Sequence, residues 1–132
     1  MLTGSGGAGI LMADADHVAG LEVPGRPDHV KKTLKEIWPP AGVGNPIDTT
    51  AQVTNDPHLL SAFLDTVLDG TDFDTILVFL TYLGLMEPWA SNVVQSLGKV
   101  RAGHPDANIL VSALATDAVR ASLPGFGMPV FR

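Results

Sequence analysis

A glycine-rich turn directly precedes a stretch with helical periodicity, and this pairing constrains the fold more than any other feature of the chain. Glycine occupies positions 4, 6, 7 and 9. Glycines allow a sharp turn and the close approach of another backbone. The helix that follows directs its unpaired N–H groups and the positive end of its dipole at the turn. Residues 4–9, named here the glycine turn, therefore predict a site for an anion, most often a phosphate group.

The order of the remaining elements predicts an α/β domain. The chain has 132 residues, and 45% of them are hydrophobic, which suits one domain whose strands are covered on both faces. Strand-like and helix-like segments alternate, so right-handed crossovers and a parallel sheet are expected. We predict a single three-layer, flavodoxin-like domain over residues 1–132 with a mostly parallel five-strand sheet. Its central first strand is truncated, which predicts a fragment of a longer chain.

Hydrophobic periodicity and turn residues place the individual elements. Strands are predicted at 1–3, 21–23, 76–80, 109–114 and 128–131. Helices are predicted at 8–19, 28–37, 56–70, 89–103 and 117–123, and residues 39–55 are predicted as a loop. The first helix has an apolar stripe that should be buried, and its polar residues Asp14, Asp16 and His17 fall outside that stripe.

Composition excludes several classes of function. The net charge is −6, which disfavours nucleic acid as a partner because phosphate backbones need clustered cations. No apolar run approaches ~18 residues, so no membrane span is expected. The chain has no cysteine and no signal-peptide pattern, so we expect a cytoplasmic protein. No metal ligand set is predicted. Open backbone edges at the short first strand predict association, including a homo-oligomer.

A second motif lies at residues 43–48, Val-Gly-Asn-Pro-Ile-Asp, named here the Asn-Pro loop. Proline biases the preceding residue towards an extended backbone, and Asn and Asp side chains hold loops through local hydrogen bonds. The motif is compatible with a rigid connection between a helix and a strand. It is also compatible with a loop that packs beside the glycine turn and supports it through Gly44, Asn45, Pro46 and Asp48.

The glycine turn also fits a dinucleotide-binding motif. Gly4, Gly6 and Gly9 satisfy G-x-G-x-x-G. That motif requires an acidic residue at the end of the second strand, about 20 residues further on, and Glu22 falls somewhat short of this spacing. A dinucleotide-binding oxidoreductase domain and a purely structural turn are therefore alternatives to a phosphate site.

Together the two motifs resemble one domain of the NDP-forming acyl-CoA synthetases, similar to the C-terminal domain of the succinyl-CoA synthetase β subunit. That family has a small-residue turn, an Ala-Asp-Ala helix, and Leu-Pro-Pro, Gly-Asn-Pro-Val-Asp and Gly-Ile-Pro-Val-Phe segments. The corresponding segments here are Thr3-Gly-Ser-Gly-Gly-Ala-Gly-Ile-Leu-Met-Ala-Asp14-Ala, Gly20-Leu-Glu-Val, Trp38-Pro-Pro, Val43-Gly-Asn-Pro-Ile-Asp48 and Gly127-Met-Pro-Val-Phe131.

The resemblance implies a ligase that couples acyl-CoA and phosphate to ADP or GDP through a phosphorylated histidine on a mobile segment. Two helix N-termini cradle this phosphohistidine in the family, and this chain would supply one of them through Ser5, Gly6, Gly7 and Ala8. The whole enzyme would use CoA, ADP/ATP or GDP/GTP, and Mg, and this fragment would bind none of them. Its expected partners are a CoA-binding domain, an ATP-grasp domain and the phosphohistidine segment.

The histidines of this chain depart from the family pattern. The phosphorylated histidine of the family is followed by small residues, whereas His17, His29, His58 and His104 are followed by Val, Val, Leu and Pro. We therefore expect no catalytic residue in this chain and no activity of the fragment alone. A non-catalytic regulatory or binding relative of the same fold is the alternative.

Overall fold

The computed structural model of the chain describes residues 1–131, apart from the side chains of residues 53, 54 and 57. The strands are β1 Leu2–Thr3, β2 Ile47–Asp48, β3 Thr75–Phe79, β4 Asn108–Ser112 and β5 Val130–Phe131. The α-helices are α1 Gly6–Ala19, α2 Asp28–Ile37, α3 Pro57–Gly70, α4 Trp89–Gly103 and α5 Asp117–Ser122. Two short 3-10 helices span Thr50–Thr54 and Pro124–Phe126.

All neighbouring strands are parallel, and their order is β2-β1-β3-β4-β5. Leu2 pairs with Ile47 on one side and with Val78 on the other. This order confirms the predicted flavodoxin-like fold. The chain leaves β1 towards one edge of the sheet and β3 towards the other. The glycine turn thus follows β1 at the switch point, where ligands of such sheets bind.

Turn and capping residues set the helix ends where the sequence predicted them. Gly20 ends α1 in the left-handed conformation, with φ of 70°. The Asp56 side chain caps α3 by accepting a hydrogen bond from the His58 amide at 2.9 Å. The Thr116 hydroxyl caps α5 by accepting a hydrogen bond from the Val119 amide at 3.3 Å.

The second strand lies elsewhere than predicted. Residues 21–23 form no strand, and β2 is Ile47–Asp48, inside the segment predicted as a loop. Hydrogen bonds to the chain at β1 hold it in place, from Ile47 N to Met1 O and from Thr49 N to Thr3 O, both at 2.9 Å. A strand of two residues shows no alternation in the sequence, so only its pairing reveals it.

The two faces of the sheet are covered unequally. Ile76, Val78, Ile109 and Val111 belong to one buried core together with α3 and α4. Successive side chains of a strand point to opposite faces. The intervening residues of β3 and β4 therefore face α1, and Leu77, Phe79, Leu110 and Ser112 are only half-buried.

The predicted burial of the α1 stripe is wrong. The buried residues of α1 are Gly9 and Asp16, whereas Leu11 is 71% exposed. Gly9 lies against Thr3 and Pro46, so α1 sits close over β1 and β2. The opposite side of α1 overhangs β3 and β4 without covering them, which explains the exposure of its apolar residues. No helix within residues 1–131 has the length and hydropathy needed to cross a lipid bilayer.

Candidate phosphate-binding site

The first turn of α1 presents backbone donors at the surface. Ser5 is the N-cap, and its side chain makes no capping hydrogen bond. The Ser5 amide donates to the Thr3 hydroxyl at 3.2 Å, and the first intrahelical bond runs from Gly9 N to Ser5 O at 3.0 Å. Within residues 1–131 the amides of residues 6, 7 and 8 have no acceptor, and glycines 6 and 7 are exposed. Three N–H groups are therefore free to bind a ligand.

The Asn-Pro loop packs against this turn. A Cβ atom on Gly9 would lie 3.5 Å from the Pro46 side chain. A Cβ atom on Gly6 would lie 2.7 Å from Asp48 Oδ2, which is closer than real Cβ contacts come. A side chain at position 6 would therefore displace the Asp48 carboxylate, and the structure brings Pro46 and Asp48 to the glycine turn.

Gly44 and Asn45 lie on the other side of the loop, where the buried Arg26 holds them. One Arg26 Nη atom donates to Gly44 O, and the other donates to Asn45 Oδ1 and Met1 O, both at 3.0 Å. Asn45 Nδ2 in turn donates to Pro24 O at 2.9 Å. These two loop residues anchor the Asn-Pro loop to the segment between α1 and α2.

Arg26 is the supporting residue that the sequence did not reveal. It is only 5% exposed, and burial lowers its pKa to about 10, so it stays charged at neutral pH. The only sequence signal for this role is that the arginine lies in a short segment between Pro24 and Pro27. That pattern is common in exposed turns and does not predict burial.

The electrostatics of the turn combine a helix dipole with one nearby carboxylate. Asp48 Oδ2 lies beside Gly6, and Asp48 Oδ1 accepts a hydrogen bond from the Thr50 amide at 2.8 Å. The carboxylate interacts favourably with the positive end of α1. It also repels an anion that approaches the same amides. A ligand phosphate must therefore bind in the presence of this negative charge.

A threonine with a left-handed backbone conformation follows each of the two strands that flank β1. Thr50, after β2, has φ of 58°, and Thr81, after β3, has φ of 51°. This conformation is rare for a β-branched residue and costs on the order of 1–3 kcal/mol. The backbone on each side of the glycine turn is thus held in a strained conformation. Threonine is not a marker of positive φ, so the sequence does not predict this conformation.

One other predicted feature, Glu22, lies away from the turn. Glu22 is exposed and lies before α2, not at the end of β2, where Asp48 stands instead, well beyond the spacing of about 20 residues that the dinucleotide motif requires. Glu22 therefore does not supply the acidic residue of the dinucleotide alternative.

Comparisons with known proteins agree on one family. The model of the Ligase-CoA domain matches residues 1–122. The α subunit of acetate–CoA ligase [ADP-forming] II from Pyrococcus furiosus is 24% identical over 136 aligned residues, which are 99% of this chain and 29% of that protein. This chain therefore spans less than a third of the length of that relative.

Two solved structures share the fold. A crystal structure from Pyrococcus horikoshii OT3 matches with a TM-score of 0.76 and 20% identity, over 99% of this chain and 31% of that chain. A dinucleotide-forming acetyl-coenzyme A synthetase 1 from Ca. Korarchaeum cryptofilum, in complex with phosphate and ADP, matches with a TM-score of 0.72 and 21% identity, over 98% of this chain and 28% of that chain. The chain thus belongs to the Ligase-CoA domain family, which confirms its resemblance to a domain of the NDP-forming acyl-CoA synthetases.

Proposed function

We propose that this chain is a domain of an NDP-forming acyl-CoA synthetase and that the first turn of α1 holds the phosphoryl group of a phosphohistidine. The free N–H groups of Gly6, Gly7 and Ala8, exposed at the switch point of a parallel sheet, carry this proposal. The ADP-forming acetate–CoA ligase subunit among the relatives supports the reaction class.

The helix terminus would position the phosphoryl group without transferring it. A charge at a helix N-terminus gains roughly 0.3–1 kcal/mol, and up to ~2 kcal/mol when partly buried. Backbone amides supply no competing nucleophile. This energy is far below that needed for phosphoryl transfer, where metal ions and cationic side chains stabilise the transition state. Those groups would come from other domains of the enzyme.

The cofactors of the reaction would likewise bind outside this domain. CoA would bind a CoA-binding domain, and ADP/ATP or GDP/GTP with Mg²⁺ would bind an ATP-grasp domain. Within residues 1–131 no group of three or more His, Cys, Asp or Glu side chains could hold a metal ion. We assign no metal-dependent step to the residues of this domain. We place the whole ligase in the cytoplasm.

Gly7→Ala tests the phosphate-binding turn directly. A Cβ atom on Gly7 meets nothing within 4 Å, so it would project into the open space where a ligand approaches. Alanine is favoured over glycine in a helix by roughly 0.5–1 kcal/mol, so the variant should be more stable. We expect it nevertheless to bind inorganic phosphate several-fold more weakly, measured by amide chemical shifts of residues 5–8 during titration.

Gly103→Ala is the matched control, because Gly103 also lies in a helix and its Cβ atom would also meet nothing within 4 Å. It should raise stability in the same way and leave phosphate binding unchanged. If both alanine variants bind phosphate like the original chain, the turn does not contact the ligand.

The alternative is a non-catalytic relative of the same fold, and a histidine followed by small residues elsewhere in the full-length protein would favour the enzyme over it. It is tested by phosphohistidine formation in the full-length ligase with Gly6→Val or Gly7→Val in this domain. A catalytic ligase should form phosphohistidine, and both variants should slow its formation. An unchanged rate would contradict the positioning role, and a full-length protein that forms no phosphohistidine would favour the non-catalytic relative.

A further inference from the structure

The Asp48 side chain is held in one place beside the first turn of α1. Thr3 pairs with Asp48 on one side, and on the other side Gly42 and Asp48 exchange two backbone hydrogen bonds, both at 2.9 Å. A Cβ atom on Gly42 would lie 3.3 Å from Asp48 Cβ. Asp48 Oδ1 accepts a hydrogen bond from the Thr50 amide at 2.8 Å, which orients the carboxylate. The fold therefore determines where Oδ2 lies.

Asp48 Oδ2 is a free acceptor next to free donors. Among the described residues it accepts no hydrogen bond. A Cβ atom on Gly6 would lie 2.7 Å from it. The Cα–Cβ bonds of a helix tilt towards its N-terminus, and the N and Cβ atoms of one residue lie about 2.5 Å apart. Oδ2 therefore lies at the end of α1 that presents the free amides, within about 5 Å of the Gly6 nitrogen, and one ligand can contact both.

This combination of donors and one acceptor defines the chemistry of the ligand. Backbone amides bind ionised oxygens, whereas a carboxylate oxygen only accepts, so it needs an O–H or N–H group on the ligand. A phosphoryl group that carries one proton offers both kinds of group. The O–H···O⁻ hydrogen bond that it forms with a carboxylate is short and strong. A fully ionised oxyanion offers no donor, so the carboxylate only repels it.

Asp48 supplies the charge that an anion meets at the glycine turn. No other titratable side chain occurs in the segments that pack against it, residues 2–13 and 39–55. The Met1 amino group and the Arg26 guanidinium lie on the other side of the Asn-Pro loop. The next titratable side chains along these segments are all exposed: Asp14, Glu36 and Asp56.

We propose that Asp48 sets the ligand specificity of the glycine turn. Its charge lowers the affinity for every anion, and it does so least for a phosphoryl group with one proton, whose O–H donates to Asp48 Oδ2 while the free amides bind the other oxygens. The turn thereby prefers a protonated phosphoryl group to other anions of the same charge and shape. This inference rests on the proposed function for the location of the site.

Methyl phosphate and methyl sulfate provide the test, because both are singly charged at about pH 5 and only methyl phosphate then carries an O–H. Amide chemical shifts of residues 5–8 during titration report the binding of each anion. The original chain should bind methyl phosphate at least about tenfold more tightly than methyl sulfate, as expected for a hydrogen bond to a charged group. Asp48→Asn should bind the two anions within about threefold of each other, because an amide N–H then takes the place of Oδ2.

A change of pH tests the same contact without a variant. Raising the pH to about 8 removes the last proton of methyl phosphate, whose second pKa is about 6. Its binding to the original chain should then weaken, whereas its binding to Asp48→Asn should strengthen with the added charge. Methyl sulfate keeps its charge and should bind equally at both pH values, which controls for titration of the protein. Asp14→Asn removes the same charge from an exposed position on α1 and should keep the preference for methyl phosphate.

The outcomes separate this inference from the proposed function. Equal binding of the two anions by the original chain would overturn the inference and leave the phosphate site intact. A preference for methyl phosphate that survives in Asp48→Asn would do the same. Amide signals of residues 5–8 that respond to neither anion would overturn the proposed site, and this inference with it.

Discussion

Single buried residues determine whether the Asn-Pro loop stays beside the glycine turn. Arg26 binds three oxygen acceptors on Met1, Gly44 and Asn45 from an almost fully buried position. No carboxylate takes part in these bonds, so carbonyl dipoles stabilise the charge of Arg26, and within residues 1–131 its buried Nε has no hydrogen-bond partner. Hydrogen bonds to a charged donor contribute roughly 1.5–3 kcal/mol each. Arg26 is therefore a structural support of the candidate site.

Arg26→Met should lower the free energy of unfolding by about 2–4 kcal/mol, because three buried acceptors lose their donor. Arg26→Lys should recover only part of this loss, since an ammonium group lacks the planar fork of the guanidinium. Urea unfolding measures the loss of stability in both variants.

Arg120→Met is the control. Arg120 pairs with the exposed Asp117 on the same helix, and its loss should cost less than about 1 kcal/mol. Equal losses for Arg26→Met and Arg120→Met would contradict this account.

The charge of Asp48 should oppose phosphate binding at the glycine turn. Asp48→Asn removes this charge but retains an oxygen acceptor for the Thr50 amide. We expect inorganic phosphate to bind a few-fold more tightly to this variant at low ionic strength. Asp14→Asn is the control, since Asp14 is exposed and lies about 12 Å along α1 from Gly6. Weaker phosphate binding by Asp48→Asn would show that the carboxylate assists the ligand.

At the scale of elements, the sequence predicted helices better than short strands. Helix α2 has the predicted bounds, because its periodic apolar residues end at the prolines after Trp38. β2 could not be predicted, because two residues do not define a period and their partners lie in β1. The exposure of Leu11 also escaped prediction. Periodicity identifies the apolar side of a helix, and tertiary packing decides whether that side is covered.

The contact between α2 and α3 depends on a glycine at the end of α3. A Cβ atom on Gly70 would collide with Val30 Cγ2 on α2. Gly70→Ala should therefore destabilise the domain by roughly 1–3 kcal/mol, although alanine usually favours a helix. Combining it with Val30→Ala should cost less than the sum of the two single substitutions. Thermal unfolding measures this coupling. Additive effects would show that a side chain at position 70 does not collide with Val30.

At the scale of the whole molecule, the sheet has one complete core face and one open face. The sequence predicted five mostly parallel strands covered on both sides, and the structure confirms the number, direction and order of the strands, whereas within residues 1–131 the two faces are covered unequally. The glycine turn and the Asn-Pro loop were both recognisable, since each depends on residue types with special backbone properties. Arg26 and Asp16 were not recognisable as buried, because their burial follows from how distant segments meet.

Two adjacent residues of β4 test whether the two faces of the sheet are packed unequally. Ile109 is fully buried in the core, whereas Leu110 faces α1 and is half-buried. Ile109→Ala should lower the free energy of unfolding by about 2–5 kcal/mol, and Leu110→Ala by about 1 kcal/mol. Chemical denaturation of the isolated chain distinguishes them. Similar losses for both substitutions would mean that the α1 side of the sheet is as well packed as the other.

The carboxylate of Asp48 next to the exposed amides of α1 has a kinetic consequence. Attraction by the helix dipole and repulsion by the carboxylate partly cancel, so a phosphoryl group would stay only briefly. Short residence suits an intermediate that must move on to its next acceptor. A binding pocket built for storage would instead surround its anion with cations.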